Sequence, residues 1–267
     1  MSLRPLALTA LCICDPAAKV QAVQSLWAKQ KDVVVLTNEV IVNDSAQTLP
    51  GRPELPHLIP AQQVPTRTPF TPEGLAALMH AVCHIEFNAI NLALDAVWRF
   101  SNMPAPYYTD WLRVAYEESQ HFEMLHTHLQ SLGHRYGDFD AHDGMWHMCQ
   151  KTANDVLARM ALVPRTLEAR GLDATPLIQT KLRKAATPAA LQAADLLDII
   201  LREEVGHVAI GNHWYRWLCE QRGLDPVAFY SELAKRYEAP KLRPPFNKEA
   251  RKRAGFTEAE LDYLLGG

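Results

Sequence analysis

Tyr116-Glu117-Glu118-Ser119-Gln120-His121 and Arg202-Glu203-Glu204-Val205-Gly206-His207 are the two stretches that decide how this chain reads. Each contains Glu-Glu-x-x-His, and each sits in a long run whose apolar residues recur at helical spacing. Helix positions i and i+3 share a face, so Glu118 with His121, and Glu204 with His207, can grip one ion together. A single Glu-x-x-His is a weak signal, because Glu is a common helix former. Here there are two copies, each preceded by a helix with one Glu on its apolar face, Glu86 and Glu168. That set matches the inward-pointing ligands of a metal site in a helix bundle: one Glu from each of two helices and Glu-x-x-His from each of the other two.

The four helices follow from local signals. Helix A is expected from about Thr71 to Phe100, opened by Thr71-Pro72-Glu73, which places a capping hydroxyl, a proline and an acid where a helix start favours them. Around Glu86 its face carries Met79, Val82, Cys83, Ala89, Ile90 and Ala93. A carboxylate amid such a stripe is costly unless protonated, paired or metal-bound. His84 lies roughly 200° around the helix from Glu86, which makes it a poor ligand. Helix B follows Met103-Pro104-Ala105-Pro106 and runs to about Leu132, stopped by Gly133. Trp111, Val114, Ala115, Phe122 and Leu125 share the face of Glu118, while His128 lies roughly 10 Å beyond His121 along the axis. Residues 133–146, rich in Gly and Asp, read as a structural loop despite His142 and His147.

Helix C is expected over about 146–170, kinked at Pro164 and ended by Gly171. Glu168 is its ligand; the rival carboxylate, Asp155, sits about 140° from the Glu168 face. Residues 172–187 read as a loop with a short amphipathic helix. Helix D starts at Thr187-Pro188 and continues to about Arg222, with Leu197, Ile200, Leu201, Val208, Gly211 and Tyr215 on the face of Glu204. Gly206 and Gly211 each cost a helix about 1 kcal/mol against Ala, which implies close packing or space beside the ligands. Tyr215 and Trp111 read first as core aromatics and second as electron relays.

The rest of the chain frames this bundle. At 267 residues and 30.0 kDa it can bury a large core. The expected division is an N-terminal extension over 1–70, a bundle over 71–222 and a C-terminal extension over 223–267. The first extension holds a short helix over about 16–30, a β-like run at Val33-Val34-Val35-Leu36, and a strap with seven prolines between Leu49 and Pro72. The second holds another proline strap and a basic helix start at Lys248, read as a solvated face. A net charge of −3 with mixed signs gives no basis for a nucleic-acid partner. Residues 5–14 are apolar but too short for a membrane span, with no cleavage site after them. Five scattered cysteines suit a reducing compartment, so the protein is expected to be soluble and cytoplasmic, a monomer or homodimer without a membrane partner.

Four carboxylates and two imidazoles suit two iron ions, or manganese, better than a structural zinc. Glu86 and Glu118–His121 are assigned chiefly to one metal, Glu168 and Glu204–His207 to the other, with Glu118 and Glu204 as bridges. These six are both the metal ligands and the catalytic set. The stretch from His80 to Tyr215 resembles the ferritin-like di-iron carboxylate superfamily. More closely, His84-Ile85-Glu86, Asn91-Leu92-Ala93-Leu94-Asp95, Tyr136-Gly137-Asp138-Phe139, Leu162-Val163-Pro164-Arg165 and Glu204-Val205-Gly206-His207-Val208-Ala209-Ile210-Gly211-Asn212 resemble a bacterial ferritin-like family of unknown function. Pro245-Phe246-Asn247 and Ala254-Gly255-Phe256 in the tail share that resemblance. It implies an all-α, ferritin-like four-helix bundle with a dinuclear centre, and names no substrate. The expected activity is an oxidoreductase that activates O2 on a small molecule, a hydroxylase or oxidase with an unassigned electron donor. The alternatives are an iron-oxidising or peroxide-detoxifying protein, and a non-catalytic metal-binding scaffold.

Overall fold

Thr71 and Thr187 begin the two most readable helices as their side chains imply. Each hydroxyl accepts the backbone N–H three residues on, from Gly74 at 3.1 Å and Ala190 at 3.2 Å, and each is followed by proline. In a computed structural model, which describes residues 2–43, 48–66 and 68–266, helix is the one regular secondary structure of the described chain. The expected strand at Val33–Leu36 is absent: Val34 makes only an isolated bridge with Ser2. The chain divides into two compact units, Met1–Asp143 and Gly144–Gly267. The strap and the short N-terminal helices therefore belong with helices A and B, and the tail with helices C and D.

In the first unit, α1 (Leu3–Leu11), α2 (Pro16–Ala28), α3 (Pro72–Arg99) and α4 (Ala105–Ser131) pack together. The apolar run near the N-terminus is α1, whose Leu3, Ala7, Ala10 and Leu11 are buried as α1 packs on α3. α2 packs on α4, and α3 on α4 along their lengths. α3 is long and apolar enough to cross a membrane, but 83% of its most apolar window is buried inside the protein. The loop 133–143 is pinned to α3. Gly137 N donates to His80 Nε2 at 3.0 Å, and Tyr136 Oη lies 2.8 Å from His84 Nδ1. His84 is thus engaged away from the carboxylates, as its helical angle requires.

Lys19 of α2 is fully buried and donates to Leu11 O at 3.2 Å, Gly51 O at 2.8 Å and Asn91 Oδ1. Burial pulls its ammonium from 10.5 down to about 7, against the three oxygens that favour the charged form. Between those values the unfolded chain binds more protons here than the folded one, so this residue makes stability rise with pH. Lys19→Met is expected to flatten that rise, read as urea midpoints from pH 7 to 10. An unchanged slope would mean that the three oxygens keep the ammonium charged throughout.

In the second unit the expected single helix C is three pieces. α5 (Gly144–Lys151) ends before Asp155, which starts α6 (Val156–Leu162) by accepting from Leu157 N and Ala158 N at 3.0 and 3.1 Å. A π-helical stretch, Val163–Glu168, follows and leads into α7 (Ala169–Ala185). Pro164 has no N–H for the α-helical ladder, and Thr166 Oγ1 instead donates to Ala161 O at 2.8 Å. Pro164 therefore widens the helix rather than simply kinking it. Gly171 does not stop the helix either: α7 runs through it and through Pro176 to Ala185, so the loop expected before the short amphipathic helix of 172–187 is helical as well.

α8 (Pro188–Gln221) lies along α6, the π stretch and α7. A Cβ on Gly211 would meet Pro164 Cβ at 2.5 Å, so this glycine is the slot that lets the two backbones approach. A Cβ on Gly206 would meet nothing within 4 Å, so that glycine is not required for packing. α9 (Pro226–Arg236), α10 (Lys248–Arg253) and α11 (Glu258–Gly266) complete the unit. The basic cluster at α10 is only partly solvated. Arg251 is buried against Phe246 and Phe256 and paired with Asp173 at 2.7 Å.

Candidate metal centre

α3 and α4 bring three of the six expected ligands together in the first unit. His121 Nδ1 lies 3.3 Å from Glu118 Oε2 and 3.4 Å from Glu86 Oε2. The ligand atoms of these three residues lie within 4.8 Å of one another. Glu118 and His121 are fully buried and Glu86 is 4% exposed. The i, i+3 spacing on α4 sets the first contact; packing of α3 against α4 at the level of Glu86 sets the second. Burial, with Glu118 alongside, pushes the Glu86 carboxyl up to about 8, although His121 opposes this. Cys83, one turn earlier, has its thiol pushed up by burial and by Glu86, which keeps it protonated. Its Sγ lies 3.8 Å from Phe122 O.

α8 supplies the matching pair in the second unit. His207 Nδ1 lies 3.2 Å from Glu204 Oε1, with His207 fully buried and Glu204 9% exposed. Glu168, buried at 7% exposure, occupies the last position of the π stretch that packs on α8. Asp155, the rival carboxylate, is engaged structurally: one oxygen caps α6 and the other accepts from Tyr237 Oη at 3.3 Å. The two Glu–His pairs thus have the same geometry within 0.1 Å (3.3 against 3.2 Å).

Residues near these pairs have structural partners. Arg165 in the π stretch pairs with Glu260 at 2.8 Å, donates to Asn212 Oδ1 at 2.5 Å, and stacks over Tyr215, Tyr230 and Phe256. Tyr215 is buried and donates to Pro226 O at 2.7 Å. Sequence reasoning missed this Arg165–Glu260 lock. Its members are 95 residues apart, and neither lies in a local pattern that would signal burial.

The donor set is oxygen-rich with imidazole nitrogen, which suits a divalent first-row ion rather than a thiolate-seeking one. It also fits in charge: two carboxylates crowd one imidazole in the first unit, and the raised Glu86 carboxyl marks a place short of positive charge. The molecule is therefore an all-helical protein with a buried glutamate–histidine cluster able to take a metal ion. It belongs to DUF455, a family described as a protein of unknown function, whose model matches residues 12–262. The chain is similar to an uncharacterized protein of Haemophilus influenzae, 46% identical over 268 residues, covering 96% of this chain and 91% of that one. No solved structure matches it.

Proposed function

We propose that Glu86, Glu118–His121, Glu168 and Glu204–His207 together hold two iron or manganese ions in a ferritin-like bundle, and that the protein is an O2-activating oxidoreductase acting on a small molecule. The observation that carries this reading is the duplication: two buried Glu–His pairs at 3.3 and 3.2 Å, each associated with one further buried Glu. Burying four carboxylates is costly unless their charge is compensated, and a bound cation is one way to supply that compensation. The bound metals would supply the redox chemistry of O2 activation. The chain's own contribution is to converge the carboxylates where cations would sit, and the cations' charge would hold them deprotonated. The chain also fixes each imidazole through the i+3 spacing, and the burial of all six side chains keeps bulk water away.

The test is metal analysis of full-length protein from iron-supplemented cells, followed by O2 addition to the reduced protein. The expected result is about two first-row metal ions per chain and oxidation of the reduced centre by O2. Metal content well below one ion per chain would sink the reading and leave a scaffold. Fast oxidation that accumulates ferric iron beyond that stoichiometry would favour iron handling over an oxygenase.

A further inference from the structure

The tail of the second unit builds a cleft of about 390 Å³ that the proposed metal chemistry does not use. Its walls are α9, α11 and the extended strap 239–247, and its lining includes Tyr230, Tyr263, Leu242, Ala234, Lys235 and Lys241. The strap is a fixed wall. Ala239 N donates to Ala234 O at 2.9 Å, Arg170 donates to Arg243 O at 2.9 Å, and Asn247 N donates to Asp173 at 2.9 Å. Tyr263 meets Tyr230 edge-on at 5.8 Å, which makes a flat aromatic corner. The volume lies in the range of small-molecule sites, which are largely apolar with a few placed polar groups.

The charge on the outer cleft is mostly positive: among the described lining residues Lys235 and Lys241 face one acid, Glu238, which Lys151 engages at 3.0 Å. A narrow crevice continues inward past Tyr230, Leu242 and Tyr263 to the Arg165 guanidinium. Arg165 is 4% exposed, and its Nε is a buried donor without a hydrogen-bond partner among the described residues. Its two terminal nitrogens are taken by Glu260 at 2.8 Å and Asn212 at 2.5 Å. A buried donor left open on the inner crevice calls for an acceptor.

We propose that this cleft binds a small amphiphilic anion: a flat apolar body against Tyr230 and Tyr263, with a carboxylate, sulfonate or phosphate held by Lys235 and Lys241. The site is independent of the metal ligands, so it stands or falls apart from the oxidoreductase reading. Naphthalene-2-sulfonate is the probe and its neutral analogue 2-naphthalenemethanol the control, titrated calorimetrically into the full chain. The sulfonate is expected to bind about fivefold tighter than the alcohol, the margin two exposed charges supply. Lys235→Glu/Lys241→Glu is expected to remove that margin, and Ala234→Trp to abolish binding by filling the cleft, with thermal melting of both variants unchanged. Equal affinity for the two probes, binding retained in Ala234→Trp, or no binding at millimolar sulfonate would each overturn the assignment. If Ala234→Trp fails to fold, the charge-reversal variant decides alone.

Discussion

Asp173→Ala is expected to lower the stability of the second unit by about 3–5 kcal/mol, the cost of leaving a buried charge without its counter-ion. Asp173 is a hub. Its carboxylate takes Arg251 in a two-point contact at 3.0 and 2.7 Å, Asn247 N at 2.9 Å and Arg170 at 3.1 Å. Arg251 is fully buried between Phe246 and Phe256, so water cannot replace the lost carboxylate. The same change frees the strap and α10 from α7, because Asn247 both starts α10 and is held by Asp173. Urea unfolding followed by circular dichroism measures the loss. The decisive comparison is Asp173→Ala/Arg251→Met. If the penalty is stranded charge, the double variant is more stable than Asp173→Ala alone; if it is lost packing, the double variant is worse. Exposed pairs such as Arg183–Asp198 carry no comparable expectation, since water screens them.

This hub also shows which parts of the molecule can be read in a sequence. α3, α4 and α8 are legible because their evidence is local: a capping Thr before Pro in α3 and α8, an apolar stripe of period 3.6, and a glycine or proline near the end. The two Glu–His contacts are legible for the same reason, since three residues of helix fix both partners. The course of helix C is not. Pro164 suggests a kink, but the π stretch also depends on Gly211, 47 residues away, admitting the proline ring, and on Thr166 Oγ1 meeting Tyr230 Oη at 2.9 Å. Gly171 looks like a stop, yet α7 packed on α8 carries the helix through it, so tertiary contact overrides a propensity of about 1 kcal/mol. Arg251 reads as solvated because its neighbours Lys252 and Arg253 are basic and exposed; only Asp173 and two phenylalanines bury it. α1 is half-legible: residues 5–14 read as an apolar run too short for a span, and the packing of Leu3, Ala7, Ala10 and Leu11 on α3 shows the helix that no capping side chain announces.

Glu118→Ala is expected to cost at least about 100-fold in metal affinity, because removing even a partner that only orients a ligand costs 10–100-fold. Glu118 lies against both His121 and Glu86, so its loss also removes what fixes the imidazole. The informative partner is His207→Ala in the other unit. If one dinuclear centre spans both Glu–His pairs, each substitution disturbs both ions, since bridging carboxylates make the second ion depend on the first. Metal content should then fall towards none in either variant. If the pairs bind separately, each variant keeps about one ion per chain, the one held by the intact pair. Metal-stripped Glu118→Ala has a further use, because it separates ligation from folding. Deleting a carboxyl that crowds Glu86 relieves like-charge repulsion, so the stripped variant should melt no lower than the stripped parent. The metal-loaded parent should melt above both, by the margin that binding to the folded state alone confers. A stripped variant that melts far below the stripped parent would make Glu118 a packing residue, and the case for ligation would then rest on Glu204 and His207.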